Sequence, residues 1–183
     1  MIRLREMSLH EIVLETTKPE TEWVRGRALR KVSPTYRHGL IQLRFATALA
    51  TWAQGGNHGR VATEWRFRVT PPGEVTRPLV PDVAYVSFAA LPRDAADDDV
   101  DVPRLAPTVA VEVLSPDDRV DDVRDKIRVY LAGGTATVIV VEPKLERVTL
   151  HTAAGACVVM TGAVTPPALP GFALDLAALF ARP

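Results

Sequence analysis

Two carboxylates stand inside otherwise apolar stretches and are the strongest candidates for chemistry in this sequence. Asp82 lies in Leu-Val-Pro-Asp-Val-Ala-Tyr-Val, and Glu112 lies in Thr-Val-Ala-Val-Glu-Val-Leu-Ser. Burial without a partner is costly, because even a neutral polar group that loses its hydrogen bonds costs roughly 2–7 kcal/mol. Each carboxylate therefore predicts a nearby cation, a hydrogen-bond network or a solvent-facing strand end. On neighbouring strands, the pair predicts a Mg²⁺ site, because Mg²⁺ is usually held by one or two carboxylates and water.

Lys126 is the candidate cation nearest to this pair. It falls on a predicted helix whose apolar stripe contains Val123, Ile127, Tyr130 and Leu131, so it borders the packed face. From there its ammonium group can reach a phosphate or an attacking water. A structural alternative stays open, in which the lysine covers apolar surface or pairs with Asp122. Structural ion pairs are equally open interpretations of each carboxylate taken singly.

Three further charged groups complete the candidate set. Glu64 shares a predicted strand face with Arg66 and Arg68, and it is a candidate third acid near the metal or a member of a surface ion pair. His38 lies early on the first predicted helix and is a candidate for proton transfer or substrate contact, with a surface role as the alternative. Glu22 is a weaker acidic candidate.

Several enzyme classes lack their signatures in this sequence. Ser115 follows Glu112 but is not part of a Gly-x-Ser-x-Gly elbow, so a serine hydrolase is rejected. The chain contains neither a Walker loop nor Gly-x-Gly-x-x-Gly, which leaves nucleotide-cofactor binding without support. Cys157 is the only cysteine, which excludes an internal disulfide and a multi-cysteine zinc site. We expect it to be a small buried hydrophobic residue.

The charge of the chain is balanced overall but uneven along its length. The 22 basic and 22 acidic residues sum to zero, which argues mildly against a strong non-specific nucleic-acid binder. Residues 1–80 carry a net charge of +6 and residues 81–130 a net charge of −6. A phosphate-facing surface beside a cation site would give this pattern, and an uneven distribution of charge without any function is an equal alternative. The amino terminus lacks the apolar region of a signal peptide, and the longest apolar run ends after six residues, Leu176 to Ala181. A soluble cytoplasmic protein without a membrane span is expected.

The elements that must position these residues follow from hydrophobic periodicity and turn signals. A helix is predicted from Ser33-Pro34, with Ser33 as N-cap, to about Gln54, and a second near 121–132, ended by Gly133-Gly134. Strands are predicted at 22–29 (a pair bent at Gly26), 60–69, 79–88, 108–114, 135–141, 147–151 and 156–160, and a final short helix at 174–180. The strand at 108–114 is nearly all apolar and should be central. This order predicts an α/β (α+β type) domain, with a mixed sheet and helices packed on it.

Four segments of the sequence resemble the Uma-two family, a large bacterial group of endonucleases with the restriction endonuclease-like fold. They are Arg-Pro-Leu-Val-Pro-Asp-Val-Ala at 77–84, Val-Glu-Val-Leu-Ser-Pro at 111–116, Asp-Lys-Ile-Arg-Val-Tyr at 125–130, and Leu-Pro-Gly-Phe at 169–172. The resemblance covers about residues 20–181 and implies a single restriction endonuclease-like domain over 1–183, with a central mixed sheet and a metal-dependent centre.

The resemblance also assigns residues to that centre. Family members usually carry a Glu on the strand before the Pro-Asp strand, which falls on Glu64, and a His early in the first long helix, which falls on His38. The superfamily pattern is Pro-Asp followed by Asp/Glu-x-Lys. Position 114 here is Leu, so the lysine is taken from the following helix, at Lys126. Thr-Ala-Thr-Val-Ile-Val-Val-Glu-Pro at 135–143 replaces the family's usual Glu-Tyr-Trp-Leu-Val-Asp-Pro, a departure that alters packing rather than the centre.

The resulting hypothesis is phosphodiester hydrolysis with Mg²⁺ or Mn²⁺ at a site of catalytic and ligand residues. Asp82, Glu112 and the carbonyl of Val113 would bind the metal, and Lys126 would orient water and neutralise the phosphate. Arg66 and Arg68 would approach phosphates, with Arg60 and the cluster from Arg25 to Lys31 as equal candidates. The expected partner is nucleic acid, with DNA favoured, and a homodimer. A catalytically silent binding module and a structural homodimer partner from a toxin-like or mobile-element locus are the alternatives.

Overall fold

A central mixed sheet organises the chain, whose computed structural model describes residues 11–15, 19–31 and 34–182. In chain order the elements are β1 (Thr21–Val24), β2 (Arg27–Arg30), α1 (Tyr36–Gly55), β3 (Gly59–Thr63), β4 (Phe67–Val69), β5 (Arg77–Leu79), β6 (Val83–Ser87), α2 (Asp97–Asp101), β7 (Val109–Val113), α3 (Val120–Ala132), β8 (Thr137–Glu142), β9 (Arg147–Thr152), β10 (Gly155–Val159), β11 (Ala163–Val164), β12 (Leu174–Asp175) and α4 (Leu176–Phe180).

The main sheet has six strands in the order β10-β9-β8-β7-β6-β3. Only β7 and β8 pair in parallel, and α3 supplies the crossover between them, as a strand–helix–strand unit requires. The other pairs in this sheet are antiparallel. The predicted fold class is therefore confirmed: a mixed sheet flanked by helices, with β7 in its interior.

Each face of the sheet is covered by a different set of elements. On one face, Ile41 and Phe45 of α1 pack with Val111 of β7 in a core that also includes α4. On the other face, Val129 and Tyr130 of α3 pack in the core that contains Ala110 of β7. The strands of the sheet centre are buried on both sides, which is why they are almost uninterrupted runs of Val, Ile and Ala.

The register of β6 and β7 places the two candidate carboxylates together. Val83 pairs with Val111 at the start of β6, and Asp82 directly precedes this pair. The carboxylate of Asp82 accepts a hydrogen bond from the amide of Val113, the residue that follows Glu112. Glu112 shares the face of β7 with Ala110, which is the face covered by α3.

Two of the predicted strands are each divided in the structure, so those predictions were wrong in extent. The strand predicted at 60–69 ends at Thr63, because Glu64 adopts a left-handed backbone (φ 52°), and β4 then joins a separate two-stranded sheet with β5. The strand predicted at 79–88 is split between β5 and β6 by Val80-Pro81-Asp82. Both breaks lie at candidate site residues, where the chain leaves the regular ladder.

Two smaller expectations also need correction. Thr35 is the N-cap of α1, and its side chain accepts a hydrogen bond from the amide of His38. Ser33, the predicted cap, lies outside the described residues. Cys157 is exposed on β10 rather than buried, because β10 is the edge strand of the sheet. In the described parts of the chain, no helix combines the length and apolar character needed to span a membrane.

Gly59 at the start of β3 provides a test of this packing. A Cβ there would collide with the carbonyl oxygen of Val86 and lie 2.7 Å from Cε2 of Tyr85. We expect Gly59→Ala to lower the free energy of unfolding by about 1–3 kcal/mol, the usual cost of overpacking. The control is Gly39→Ala in α1, where the added Cβ meets nothing within 4 Å. It should stabilise the helix by about 0.5–1 kcal/mol. Urea denaturation of both variants would show opposite signs, and equal shifts would contradict the close approach at Gly59.

Candidate active site

Asp82 is buried at the point where β6 begins, and both of its carboxylate oxygens have partners. Its side chain is 4% exposed. Oδ2 accepts a hydrogen bond of 2.7 Å from the amide of Val113 and lies 3.4 Å from Nε2 of His38. Oδ1 accepts a hydrogen bond of 2.6 Å from the ammonium group of Lys31. The carboxylate thus ties together α1, β7 and the segment that follows β2.

Glu112 in β7 is bound by two side chains of α3. The ammonium group of Lys126 donates to its Oε2 at 2.6 Å, and the hydroxyl of Tyr130 donates to its Oε1 at 3.2 Å. Lys126 and Tyr130 are four residues apart, so they occupy the same face of the helix. That face is turned towards the sheet, and Lys126 is 8% exposed while Tyr130 is fully buried.

Glu22 in β1 is the second partner of Lys126. Its Oε2 accepts a hydrogen bond of 3.0 Å from the ammonium group, and its Oε1 accepts one of 2.7 Å from the amide of Val80. Glu22 is 3% exposed, so the lysine is held between two buried carboxylates. This arrangement connects β1, β7 and α3 through a single cation.

Lys31 and Glu64 form the outer part of the cluster. The ammonium group of Lys31 lies 3.3 Å from Oε2 of Glu64 and donates to the carbonyl of Val80 at 2.9 Å. The side-chain amide of Gln42 donates to Oε1 of Glu64 at 3.0 Å and to the carbonyl of Asp82 at 2.9 Å. Glu64 is therefore held by α1 at the end of β3, and the side chain is 34% exposed.

The buried charges shift one another's pKa values in opposite directions. Burial alone would raise the pKa of Asp82, but the charge of Lys31 and the hydrogen bond from His38 outweigh it and hold the pKa below its usual range. Burial raises the pKa of Glu112 to about 8, although the charge of Lys126 opposes this. Burial lowers the pKa of His38, but the hydrogen bond and charge of Asp82 outweigh it, and the net shift is upward. The folded site thus keeps Asp82 ionised and favours extra protons at Glu112 and His38.

These groups line a cavity of about 730 Å³ at the C-terminal end of β7. Its walls include His38, Glu64, Asp82, Glu112, Val113 and Lys126. The structure therefore brings the predicted catalytic residues and the predicted metal ligands to one place.

Arg66 and Arg68 are not part of this cavity. The guanidinium group of Arg66 is buried and donates to Glu20 at 2.6 Å, and Arg68 lies 3.5 Å from Glu11. Arg60 is also engaged, because it donates to the carbonyls of residues 91–93. Arginines that do line the cavity are Arg27, Arg30 and Arg119.

Comparisons with known proteins identify the family and the fold of the chain. The sequence profile of the Uma2 (Uma-two) family, described as "putative restriction endonuclease", matches residues 6–177. The chain belongs to the Uma2 family. A crystal structure from Anabaena variabilis, described as "a putative nuclease belonging to DUF820", superposes with a TM-score of 0.79 at 23% identity and covers 91% of this chain and 93% of that chain. That likeness establishes the shared fold. No curated protein matches the chain.

Restriction endonuclease-like families generally use divalent metal ions, and the donor types of this Uma2 site fit such an ion. Asp82, Glu112 and Glu64 supply hard carboxylate oxygens, and Val113 ends β7 at the same cavity. The described residues contain no ready-made group of three acidic, histidine or cysteine ligands. Each of the two candidate carboxylates is instead in contact with an ammonium group, Asp82 with Lys31 and Glu112 with Lys126.

Three contributors to this Uma2 site carry weak sequence signals. Lys31 is one of several basic residues that lie close together in the sequence, and Glu22 has a weaker signal than the other acidic candidates. Gln42 is a polar residue on a long helix, a position that does not by itself indicate a functional role. The signal for Glu22 was its place beside Trp23 and Val24 in a short strand, where a carboxylate faces a buried environment. Nothing in the sequence indicated which of the clustered cations would face inward.

Proposed function

We propose that this protein is a metal-dependent endonuclease that hydrolyses phosphodiester bonds of nucleic acid. The observation that carries the proposal is the pair of buried carboxylates Asp82 and Glu112: the amide of Val113, next to Glu112, donates to Asp82 at 2.7 Å, and the buried ammonium group of Lys126 lies 2.6 Å from Glu112. Paired carboxylates beside a cation are suited to holding a divalent ion against a phosphate. Membership of the Uma2 family supports the same reaction class.

Each group in the cavity has a role in this proposal. Asp82, Glu112 and the carbonyl of Val113 would hold Mg²⁺ or Mn²⁺. Such an ion, when bound, polarises a phosphoryl oxygen and lowers the pKa of a bound water. Lys126 holds a fixed positive charge beside the reacting phosphate, because Glu112 and Glu22 anchor its ammonium group.

His38 and Glu64 would act beside the ligands. His38 lies 3.4 Å from Oδ2 of Asp82, where it orients that carboxylate and, with its raised pKa, can hold a proton near neutral pH. Glu64 would be an auxiliary acid, positioned by the side-chain amide of Gln42.

Phosphate contacts are assigned to the arginines that line the cavity. Arg27, Arg30 and Arg119 border the carboxylate cluster, whereas Arg66 and Arg68 are paired with glutamates elsewhere. We therefore place the nucleic-acid backbone along the cavity rim rather than along β4. DNA is the proposed substrate, and cleavage of both strands of a duplex would use two copies of the chain.

A binding module without catalysis is the second candidate function. It is favoured by one observation, namely that ammonium groups of the protein already contact Asp82 and Glu112. In that case the cluster would stabilise the fold, and the cavity would bind nucleic acid without cleaving it.

Metal titration separates the two functions. We expect calorimetry to show saturable Mn²⁺ binding by the wild type and its loss in Asp82→Asn/Glu112→Gln, which keeps the size of each side chain and one of its two acceptor oxygens. Circular dichroism would confirm that the double variant is folded. Glu146→Ala, which removes a half-exposed carboxylate from the Arg37 pair, should bind Mn²⁺ like the wild type.

Cleavage of single- and double-stranded DNA and RNA with Mg²⁺ or Mn²⁺ should follow the same pattern among these proteins. Folded wild type that binds no Mn²⁺ and cleaves none of these substrates would contradict the endonuclease. Binding of nucleic acid that is unchanged in the double variant would then identify the binding module.

A further inference from the structure

The ammonium group of Lys31 is surrounded by three oxygen atoms. It contacts Oδ1 of Asp82 at 2.6 Å, the carbonyl of Val80 at 2.9 Å and Oε2 of Glu64 at 3.3 Å. Two carboxylate oxygens and a carbonyl oxygen are the ligand types that a hard divalent cation takes. A monovalent cation of the protein itself therefore occupies a position built from metal-ligand atoms.

One oxygen of each carboxylate is bound by a group other than Lys31. Oδ2 of Asp82 is fixed by the backbone amide of Val113, and Oε1 of Glu64 is bound by Gln42. The oxygens that remain, Oδ1 of Asp82 and Oε2 of Glu64, are both held by Lys31. Any cation that uses these oxygens must take them from Lys31, since two cations on the same oxygens repel each other.

Lys31 is better placed to move than the other lysine of the cluster. It follows the last residue of β2 and its side chain, 15% exposed, lines the cavity. Lys126, in contrast, lies within α3, and its ammonium group is clamped between Glu22 and Glu112. A flexible four-carbon stem lets the ammonium group of Lys31 swing into the cavity while its backbone stays in place.

We propose that Lys31 is an internal counter-cation that holds Asp82 and Glu64 in the metal-free protein and is displaced when a divalent metal binds. The proposal rests on the metal site of the proposed function, because Asp82 is a ligand of that site as well as a contact of Lys31, and it adds a competition for this carboxylate. Lys31 is a positioning residue here, because it acts on the ligands rather than on the substrate. It holds the carboxylate of Asp82 in an ion pair without metal, and it lowers the affinity for the metal that replaces it.

Metal affinity of a neutral variant tests the competition without any activity measurement. Lys31→Met keeps the length of the side chain and removes its charge, so we expect the dissociation constant for Mn²⁺ to fall at least about tenfold by calorimetry. Lys144→Met removes an exposed lysine and should leave the constant unchanged. Equal or weaker Mn²⁺ binding by folded Lys31→Met, beside a wild type that binds, would overturn the competition and leave the metal site intact. Absence of binding in both proteins would remove the metal site and the competition with it.

Lysine acylation followed by mass spectrometry tests the displacement in the wild type, where folding of a variant is not at issue. The chain has only four lysines, so each site can be followed separately. With saturating Mg²⁺ or Mn²⁺, acylation of Lys31 should rise at least about tenfold, because a displaced ammonium group is exposed to solvent. Lys126 should stay protected and Lys144 should react equally with and without metal. Protection of Lys31 that persists under metal saturation would refute its displacement.

Discussion

Replacing Lys126 by methionine is expected to lower the free energy of unfolding by about 3–5 kcal/mol, the cost of breaking a buried ion pair from one side. The ammonium group is 2.6 Å from Glu112 and 3.0 Å from Glu22, and all three side chains are at most 9% exposed. Methionine fills the space but leaves two buried carboxylates without their shared cation. The result should be visible as a lower midpoint of urea denaturation at pH 9 in EDTA, above the raised pKa of Glu112, where its carboxylate is ionised.

A double-mutant cycle separates the ion pair from simple packing. In the Lys126→Met background, Glu112→Gln should recover part of the lost stability, because one uncompensated carboxylate is then gone. Lys144→Met, at an exposed position, should change stability by no more than about 0.5 kcal/mol. Two results would show that the buried cation is not a structural requirement. One is a loss of less than about 1 kcal/mol in Lys126→Met, and the other is a further loss of stability when Glu112→Gln is added to it.

The features that could be predicted from sequence are those with a local signal. Asp82 and Glu112 were recognisable because each interrupts an apolar strand, and the strand at 109–113 was recognisable as central because it is apolar on both faces. The ends of α1 and α3 were predicted from Gly55-Gly56 and Gly133-Gly134, since glycine terminates helices. These signals depend only on neighbours in the chain.

The features that could not be predicted depend on partners far away in the chain. Lys126 meets Glu22 across 104 residues, and Lys31 meets Asp82 across 51. No periodicity records which cation crosses to which carboxylate. The helix α3 illustrates the consequence: the apolar stripe predicted for it includes Val123 and Ile127, yet Asp122 and Lys126 are more buried. The buried face of α3 is therefore offset from the predicted apolar stripe, and it carries charged residues into the site.

Glu64 shows how the site also distorts regular structure. Alternation of apolar residues from Val61 to Val69 predicted one continuous strand, and the register would have placed Glu64 beside Arg66 and Arg68. In the structure Glu64 takes a positive φ and turns towards Gln42 and Lys31. Left-handed backbone at a non-glycine residue is disfavoured, so the tertiary contacts of its side chain outweigh the local preference.

In the metal-free protein, stability is expected to fall as pH rises from about 5 to 8. The pKa of Glu112 is raised from 4.5 to about 8 by burial, so the folded protein holds a proton there that the unfolded chain has lost. Stability gained from such a proton is complete below the unfolded pKa and disappears as pH rises through the folded pKa. The raised pKa of His38 acts in the same direction above its ordinary value of 6.5.

Asp82 has the opposite effect at lower pH. Lys31 and His38 overcome the effect of burial and hold its pKa below the ordinary 3.8, so its contribution is present above that value and is lost as pH falls further. The two trends together predict a stability maximum near pH 4, between the ordinary pKa values of 3.8 for Asp82 and 4.5 for Glu112. Because each unit of pKa displacement corresponds to about 1.4 kcal/mol, the loss from pH 5 to pH 8 should be on the order of a few kcal/mol.

Urea midpoints at pH 5, 6.5 and 8, in EDTA and at constant ionic strength, would measure this slope. Glu112→Gln cannot titrate at that position, so its stability should change much less over the same range, with only the contribution of His38 left. The sign of the change in stability with pH decides between two physical descriptions of the cluster. A fall with pH that Glu112→Gln suppresses means that two ammonium groups are too few for the buried carboxylates and that a proton completes the balance. A wild type whose stability is constant or rises towards pH 8 would mean that Lys31 and Lys126 already balance the site.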